Sequence, residues 1–225
     1  MPGLGLTPRQ RLGIGLGAFC GGMIVAKLPF VLADWEGQVD GRAWFDNGKT
    51  IVFGLMGGYF GVELAKWALG IRVKTGDDFA VPMALALAVG RWGCFFNGCC
   101  YGTPTSLPWA VDLGDGIGRH PVQIYESAAM AVFLAIYVWG LANRAPWAMR
   151  RGFYALCAWY GAQRFLWEFL KPYPAVIGPL NLFHLLNGGL VIYGAVYYLR
   201  DLNAERAVGP QERALSVPRP DQQPV

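Results

Sequence analysis

The chain has 225 residues, of which 54% are hydrophobic, 14% aromatic and 15% charged, with 31 glycines and a formal charge of +4. A soluble domain carries roughly 25% charged residues, so this composition excludes a disordered chain, a coiled coil and a disulfide miniprotein and argues against a water-soluble enzyme. It also lacks the basic, aromatic-interleaved stretches of a nucleic-acid binder.

Six segments approach the roughly 20 apolar residues that a membrane-spanning helix needs: Leu12–Leu32, Thr50–Leu69, Phe79–Phe96, Gln123–Leu141, Gly152–Leu170 and Leu180–Leu199. The first has no A-x-A-like cleavage site behind it, so no cleavable signal peptide is expected. The pattern predicts an all-α, polytopic membrane bundle of about six transmembrane helices with two longer outer loops. The expected organisation is a cytoplasmic segment over 1–11, a transmembrane domain over 12–200 and a cytoplasmic, disordered tail over 201–225. Glycines suit such a bundle because small residues let helix backbones approach closely in lipid.

Basic residues orient the spans, since cytoplasmic loops are enriched in Lys and Arg. With the N-terminus inside, the inner segments hold eleven: Arg9, Arg11, Arg72, Lys74, Arg144, Arg150, Arg151, Arg200, Arg206, Arg213 and Arg219. The outer loops hold four: Arg42, Lys49, Arg119 and Lys171. Both termini are therefore expected in the cytoplasm. One outer loop, 33–49, is acidic, with Asp34, Glu36, Asp40 and Asp46. The other, 97–122, is rich in Gly and Pro.

Charges inside spans are costly and call for a partner or a ligand. Lys66, with Glu63, lies near the inner end of the second span, where it can snorkel. Lys27 lies near the outer end of the first span and either pairs with a carboxylate or reaches the headgroups. Arg91 sits between Gly90 and Gly93, close to the outer end of the third span, where a guanidinium either grips a phosphate in bidentate fashion or snorkels outward to the interface. The fourth span opens GRHPVQIYES, which places Arg119 and His120 before Pro121 and Glu126 in the first turns. In the fifth span Tyr160, Arg164 and Glu168 are four apart and share one helix face. They form either a self-satisfied Arg–Glu pair or part of a site at the depth of Arg91. His184 reads as a structural histidine. Together, Arg91, Arg119, His120, Glu126, Tyr160, Arg164 and Glu168 converge at one depth. Three arginines there imply an anionic ligand, and a phospholipid headgroup is the anion native to that depth.

At these residues the sequence resembles the prolipoprotein diacylglyceryl transferases. The family's Arg–Gly–Asn–Phe stretch with its following turn appears as Gly90-Arg91-Trp92-Gly93-Cys94-Phe95-Phe96-Asn97-Gly98 through Tyr101-Gly102-Thr103-Pro104-Thr105. R-H-P-x-Q-x-Y-E is matched by Arg119, His120, Pro121, Gln123, Tyr125 and Glu126, and Y-G-x-x-R-F-x-x-E by Tyr160, Gly161, Arg164, Phe165 and Glu168. Asp78 resembles the acid that opens the preceding helix. The order and spacing agree from the first span to the sixth. Two departures stand out. Met56 precedes Gly57-Gly58 where the family has its catalytic histidine, and cysteines occupy the central motif. The family usually has seven spans with an outside N-terminus, so the chain is expected to lack the first span.

The resemblance implies transfer of a diacylglyceryl group from phosphatidylglycerol to the cysteine thiol of a lipoprotein signal peptide, in the bacterial cytoplasmic (inner) membrane, with the site facing the outer side. The implied catalytic residues are Glu168, Glu126, His120 and Tyr160, with the base sought among the first three in that order. The implied headgroup-binding residues are Arg91, Arg119, Arg164, Asn97 and Gly102. The implied partners are phosphatidylglycerol, a lipoprotein signal peptide and the bilayer. No cofactor and no metal is assigned. Cys94 with Cys99 or Cys100 is a candidate disulfide on the oxidising outer side; metal or haem ligation with a histidine such as His120, redox chemistry and plain packing are the other readings. Cys20 and Cys157 lie in apolar stretches and read as packing residues. The alternative function is a non-catalytic or chemically altered homologue that binds phospholipid or serves as a membrane-complex subunit. A transporter is disfavoured because the charges cluster at one depth and line no path.

Overall fold

A computed structural model describes residues 6–33 and 51–207. Of the acidic loop expected over 33–49 all but Ala33, and of the tail expected over 201–225 the part from 208 onward, lie outside the described residues. The chain divides into two compact units, Met1–Lys74 and Thr75–Val225.

The first unit pairs two helices, α1 (Pro8–Ala33) and α2 (Ile51–Ala68). The start of α1 is set by a capping box. The Thr7 amide donates to Gln10 Oε1 at 2.9 Å and the Gln10 amide donates to Thr7 Oγ1 at 3.3 Å. Pro8 takes the first helical position, where its missing N–H costs nothing. Gly17 and Gly21 face Gly57 and Gly61. A Cβ on Gly17 would stand 2.5 Å from the Gly61 carbonyl oxygen and one on Gly21 would overlap that of Gly57. The two backbones thus meet through glycine, four residues apart on each helix, the small-xxx-small spacing of membrane helix pairs. Lys66 pairs with Glu63 one turn earlier at 2.8 Å. Met56 is 45% exposed on α2.

The second unit holds α3 (Gly76–Phe96), a two-stranded antiparallel ribbon of β1 (Val111–Asp112) and β2 (Gly118–Arg119), α4 (Val122–Ala142), α5 (Pro146–Glu168) and α6 (Leu182–Ala207). Helix α3 packs on α4 and α5, α4 on α5, and α5 on α6. Asp77 and Asp78 in the first turn of α3 complement its N-terminal dipole. Asp77 also repairs a kink in α5. Arg151 leaves helical geometry (φ −136°), and the Phe153 amide beyond it donates to Asp77 Oδ1 at 3.0 Å. On α5, Gly161 lies against the backbone of Asn187 and Val191. On α6, Gly194 lies against Tyr154 and Ala158, so α5 and α6 also approach through glycine. Deeper polar contacts lock the same packing. Ser127 Oγ donates to the Ala88 carbonyl at 2.8 Å and the Tyr137 hydroxyl donates to that of Ala148 at 3.0 Å.

Each of the six expected segments falls on one of these helices, giving an all-α architecture. Among the described residues, four stretches are long and apolar enough to cross a membrane: Pro8–Pro29, Gly76–Phe96, Val122–Ala142 and Leu182–Ala207. The helices outside that group, α2 and α5, carry Glu63 with Lys66 and Arg164 with Glu168. Helix α6 continues to Ala207, past the expected domain boundary at 200.

The glycine contact in the first unit predicts a sharp contrast. Gly21→Leu drives a Cβ into the Gly57 carbonyl and should destabilise by about 1–3 kcal/mol, as overpacking does. Gly15→Ala meets nothing within 4 Å and should be neutral or stabilising, by up to about 1 kcal/mol. Thermal unfolding of the detergent-solubilised chain checks both.

Candidate active site

The site begins where α3 ends. Asn97 caps the helix and Gly98 follows in the left-handed region (φ +63°). The Gly98 amide donates to the Phe95 carbonyl and the Cys99 amide to that of Cys94, both at 3.1 Å. These two bonds form a Schellman motif, which favours glycine at its left-handed position. Gln123, buried in the first turn of α4, donates from Nε2 to the Cys99 carbonyl at 2.6 Å and ties the turn to that helix. The chain then runs beside the segment before α4. The Gly102 amide donates to the His120 carbonyl at 3.0 Å, the His120 amide to that of Thr103 at 3.1 Å, and the Thr103 amide to that of Leu170 at 2.7 Å. A Cβ at Gly102 would stand 2.7 Å from Val122, 2.8 Å from His120 and 2.9 Å from the Leu170 carbonyl. Only glycine fits there.

Beneath this lattice lies a buried charge cluster. Glu126, 1% exposed, faces three cations. Its Oε2 meets Arg91 of α3, and its Oε1 takes Arg164 of α5 at 2.7 Å and Lys171, just beyond α5, at 3.1 Å. Arg164 also reaches Glu168 Oε2 at 3.1 Å. Glu168 Oε1 accepts from Asn181 Nδ2 at 3.2 Å. Asn181 is fixed in turn by a reciprocal pair with His184, whose amide donates to Asn181 Oδ1 at 3.0 Å while the Asn181 amide donates to His184 Nδ1 at 3.1 Å. The Tyr160 ring is buried, with its hydroxyl beside Arg91 and Arg164. Among these five groups, three buried cations face two buried carboxylates, one positive charge more than negative, and the Cys100 thiol is the other group on which Lys171 and Arg91 act. Burial pulls the Lys171 ammonium below the ordinary lysine value, with Arg164 and Arg91 pushing the same way and Glu126 opposing.

A sequence model of the prolipoprotein diacylglyceryl transferases matches residues 11–200. The chain belongs to that family. It is similar to the phosphatidylglycerol–prolipoprotein diacylglyceryl transferase of Solidesulfovibrio magneticus, 32% identical over 217 residues, 86% of this chain and 78% of the relative. The Bordetella parapertussis protein of the same name is 32% identical over 203 residues, 84% of this chain and 73% of the relative. That of Cupriavidus metallidurans is 37% identical over 153 residues, 62% of this chain and 56% of the relative. Against this last relative the chain matches little more than half the length.

Within the family framework, Arg91, Glu126, Tyr160, Arg164 and Glu168 come together in the cluster. Arg119 does not. It sits on the ribbon, bound to Asp115 at 2.6 Å and stacked 4.6 Å over the Tyr101 ring. That pair, led by the direct hydrogen bond, raises the Arg119 guanidinium and lowers the Asp115 carboxyl. Asp112 holds the ribbon turn by accepting the amides of Gly114, Asp115 and Gly116. His120 stands outside the cluster, its Nδ1 3.4 Å from the Tyr125 hydroxyl, which accepts from Trp109 Nε1 at 2.7 Å. The Asn97 side chain is exposed, and Gly102 acts through close backbone packing. Cys94, Cys99 and Cys100 carry free thiols. The Cys100 thiol is held down at about 5, chiefly by the hydrogen bond with Cys94, which outweighs its burial, with Lys171 and Arg91 adding to the effect.

Two residues of the cluster, Lys171 and Asn181, do not stand out in the sequence. Lys171 follows Tyr160, Arg164 and Glu168 at continued helical spacing, three beyond Glu168, and that register is the signal that could have found it. Pro172 masks the signal, because a proline there makes Lys171 read as a loop cation.

Removing the shared anion tests the cluster. Glu126→Ala leaves Arg91, Arg164 and Lys171 facing one another in a buried site and should cost about 3–5 kcal/mol, as loss of one partner of a buried ion pair does. Glu168→Ala leaves Arg164 its bond to Glu126 and should cost less. Thermal unfolding of the two variants side by side measures the difference.

Proposed function

We propose that this chain transfers the diacylglyceryl group of phosphatidylglycerol to the cysteine thiol of a prolipoprotein, releasing glycerol phosphate. The observation that carries the reading is the surplus of one positive charge in the buried Arg91–Glu126–Arg164–Lys171–Glu168 cluster. A phosphodiester headgroup carries one negative charge and balances it. In the reaction the acceptor sulfur attacks the glyceryl carbon bound to the phosphate oxygen. A carbon–sulfur bond forms, the carbon–oxygen bond breaks, and the electron pair leaves with the phosphate. The leaving group becomes a monoester with a second negative charge. Fixed cations in a dry site stabilise charge where it develops, with no reorganisation at the moment of reaction. Arg91 and Arg164 suit this role because a planar guanidinium matches two phosphate oxygens.

The acceptor thiol must lose its proton, since the thiolate is the nucleophile. Both oxygens of Glu126 are engaged by cations, and the oxygens of Glu168 are taken by Arg164 and Asn181. The His120 ring is held by nothing stronger than the long contact from Nδ1 to Tyr125 among the described residues, so we assign it the base and leave the two glutamates to position the arginines. The Tyr160 hydroxyl beside Arg91 orients the phosphate. Arg119, on the ribbon, holds the loop over the headgroup. The same reading sets the chain in the bacterial cytoplasmic membrane with both termini inside and the site toward the outer face. It follows the eleven inner cations against four outer ones.

In nanodiscs containing labelled phosphatidylglycerol and a prolipoprotein peptide, the chain should form the thioether product. Arg164→Ala should lower the rate at least about a hundredfold, the scale for losing one group aimed at developing charge. Lack of turnover by the unsubstituted chain, or full turnover by Arg164→Ala, would refute the reading. Lys171 adds a pH signature. Raising the pH through its lowered range discharges the ammonium and removes the surplus charge, so the KM for phosphatidylglycerol should climb on the alkaline side. Lys171→Arg, charged throughout, should flatten that climb.

A further inference from the structure

Two left-handed residues, Gly98 (φ +63°) and Cys100 (φ +60°), turn the chain back on the last turn of α3. The turn brings Cys99 and Cys100 alongside Cys94. The three sulfurs all lie within 4.8 Å of one another, and all three residues are partly exposed. A metal bound to three thiolates at about 2.3 Å each holds its sulfurs roughly 3.8–4.0 Å apart, so small side-chain rotations close the site. The frame around it is rigid, through the Schellman turn and the clamp from Gln123 to the Cys99 carbonyl. Lys171 and Arg91 exert their charge at Cys100. His120 is not in the group.

A disulfide would use two of the three sulfurs and strand the third, and a bond between adjacent Cys99 and Cys100 is strained. All three sulfurs are used if they converge on one ion. We propose that Cys94, Cys99 and Cys100 form a three-thiolate site for a soft d10 metal ion, Cu(I) or Zn(II), at the end of α3. Thiolate donors select these ions over hard cations. Cu(I) is satisfied by three sulfurs, whereas Zn(II) adds a water as its fourth ligand. Binding displaces to solvent the protons that remain on the sulfurs, those of Cys94 and Cys99. The inference stands independently of the transferase reading, because it needs no turnover.

The test uses the reduced, full-length chain in nanodiscs under anaerobic conditions. Cu(I) is presented in competition with a chromophoric Cu(I) chelator, and Zn(II) separately with a zinc indicator. One equivalent of at least one ion should bind, and that ion should protect Cys94, Cys99 and Cys100 from maleimide labelling read by peptide mass spectrometry. Cys94→Ser, Cys99→Ser and Cys100→Ser should each weaken binding by about tenfold or more, and Cys20→Ser should not. The protection experiment is made on the unsubstituted chain, so its outcome does not depend on the variants folding. Equal labelling rates with and without both metals would overturn the proposal. So would a disulfide joining Cys94 to Cys99 or Cys100 in chain isolated without reductant.

Discussion

One carboxylate organises the second unit. Glu126 is buried at the start of α4 and meets a cation from α3, a cation from α5 and a third from the segment after α5. Removing that many charges from water is costly, and mutual attraction offsets the cost only with close geometry and satisfied hydrogen bonds. The secondary partners supply part of that support. Glu168 shares Arg164, Asn181 holds Glu168, and His184 holds Asn181. The chain of contacts links α3, α4, α5 and the start of α6. It still leaves one positive charge over, and in the function proposed above that imbalance is what makes the assembly a binding site and not only a fastening.

The surrounding backbone is held closely in place. Gly102 lies so close to Val122, His120 and the Leu170 carbonyl that a side chain would wedge the loop apart. Gln123 holds the turn above the cluster. Trp109, Tyr125 and His120 form a polar relay on the loop side, through the indole donor and the shared phenol. A buried charge cluster beside a stapled loop suits a reaction in which charge grows on a leaving phosphate, because each donor is already in place.

Much of this is legible in the sequence. The six apolar runs mark the six helices of the described residues, since length and hydropathy are local properties. Arg91, Glu126, Arg164 and Glu168 stand out because charge in an apolar run demands a partner. What the sequence hides is pairing. Arg119 reads like a third site arginine until Asp115, four residues earlier on a two-stranded ribbon, takes its guanidinium. Lys171 reads like a loop cation until the chain beyond Glu168 returns it to Glu126. The first outcome does not follow from spacing, because it depends on how a glycine-rich loop folds; the second is hinted at by spacing but hidden by Pro172. Met56, where the family's histidine would stand, is half exposed on a helix of the first unit, and the two glutamates of the second unit are already occupied by cations and Asn181. The family resemblance puts the glutamates ahead of His120 as the base; the proposed function reverses that order because of their pairing.

The central claim is that the cluster's net charge holds the headgroup. It is tested most directly by counting phosphatidylglycerol retained by native mass spectrometry on the unsubstituted chain, on Lys171→Met and on Glu168→Gln. The first substitution removes the surplus charge and the second doubles it. Retention should fall in Lys171→Met and rise in Glu168→Gln, with a zwitterionic phosphatidylcholine control unchanged throughout. Equal retention of phosphatidylglycerol by all three folded proteins would contradict the account.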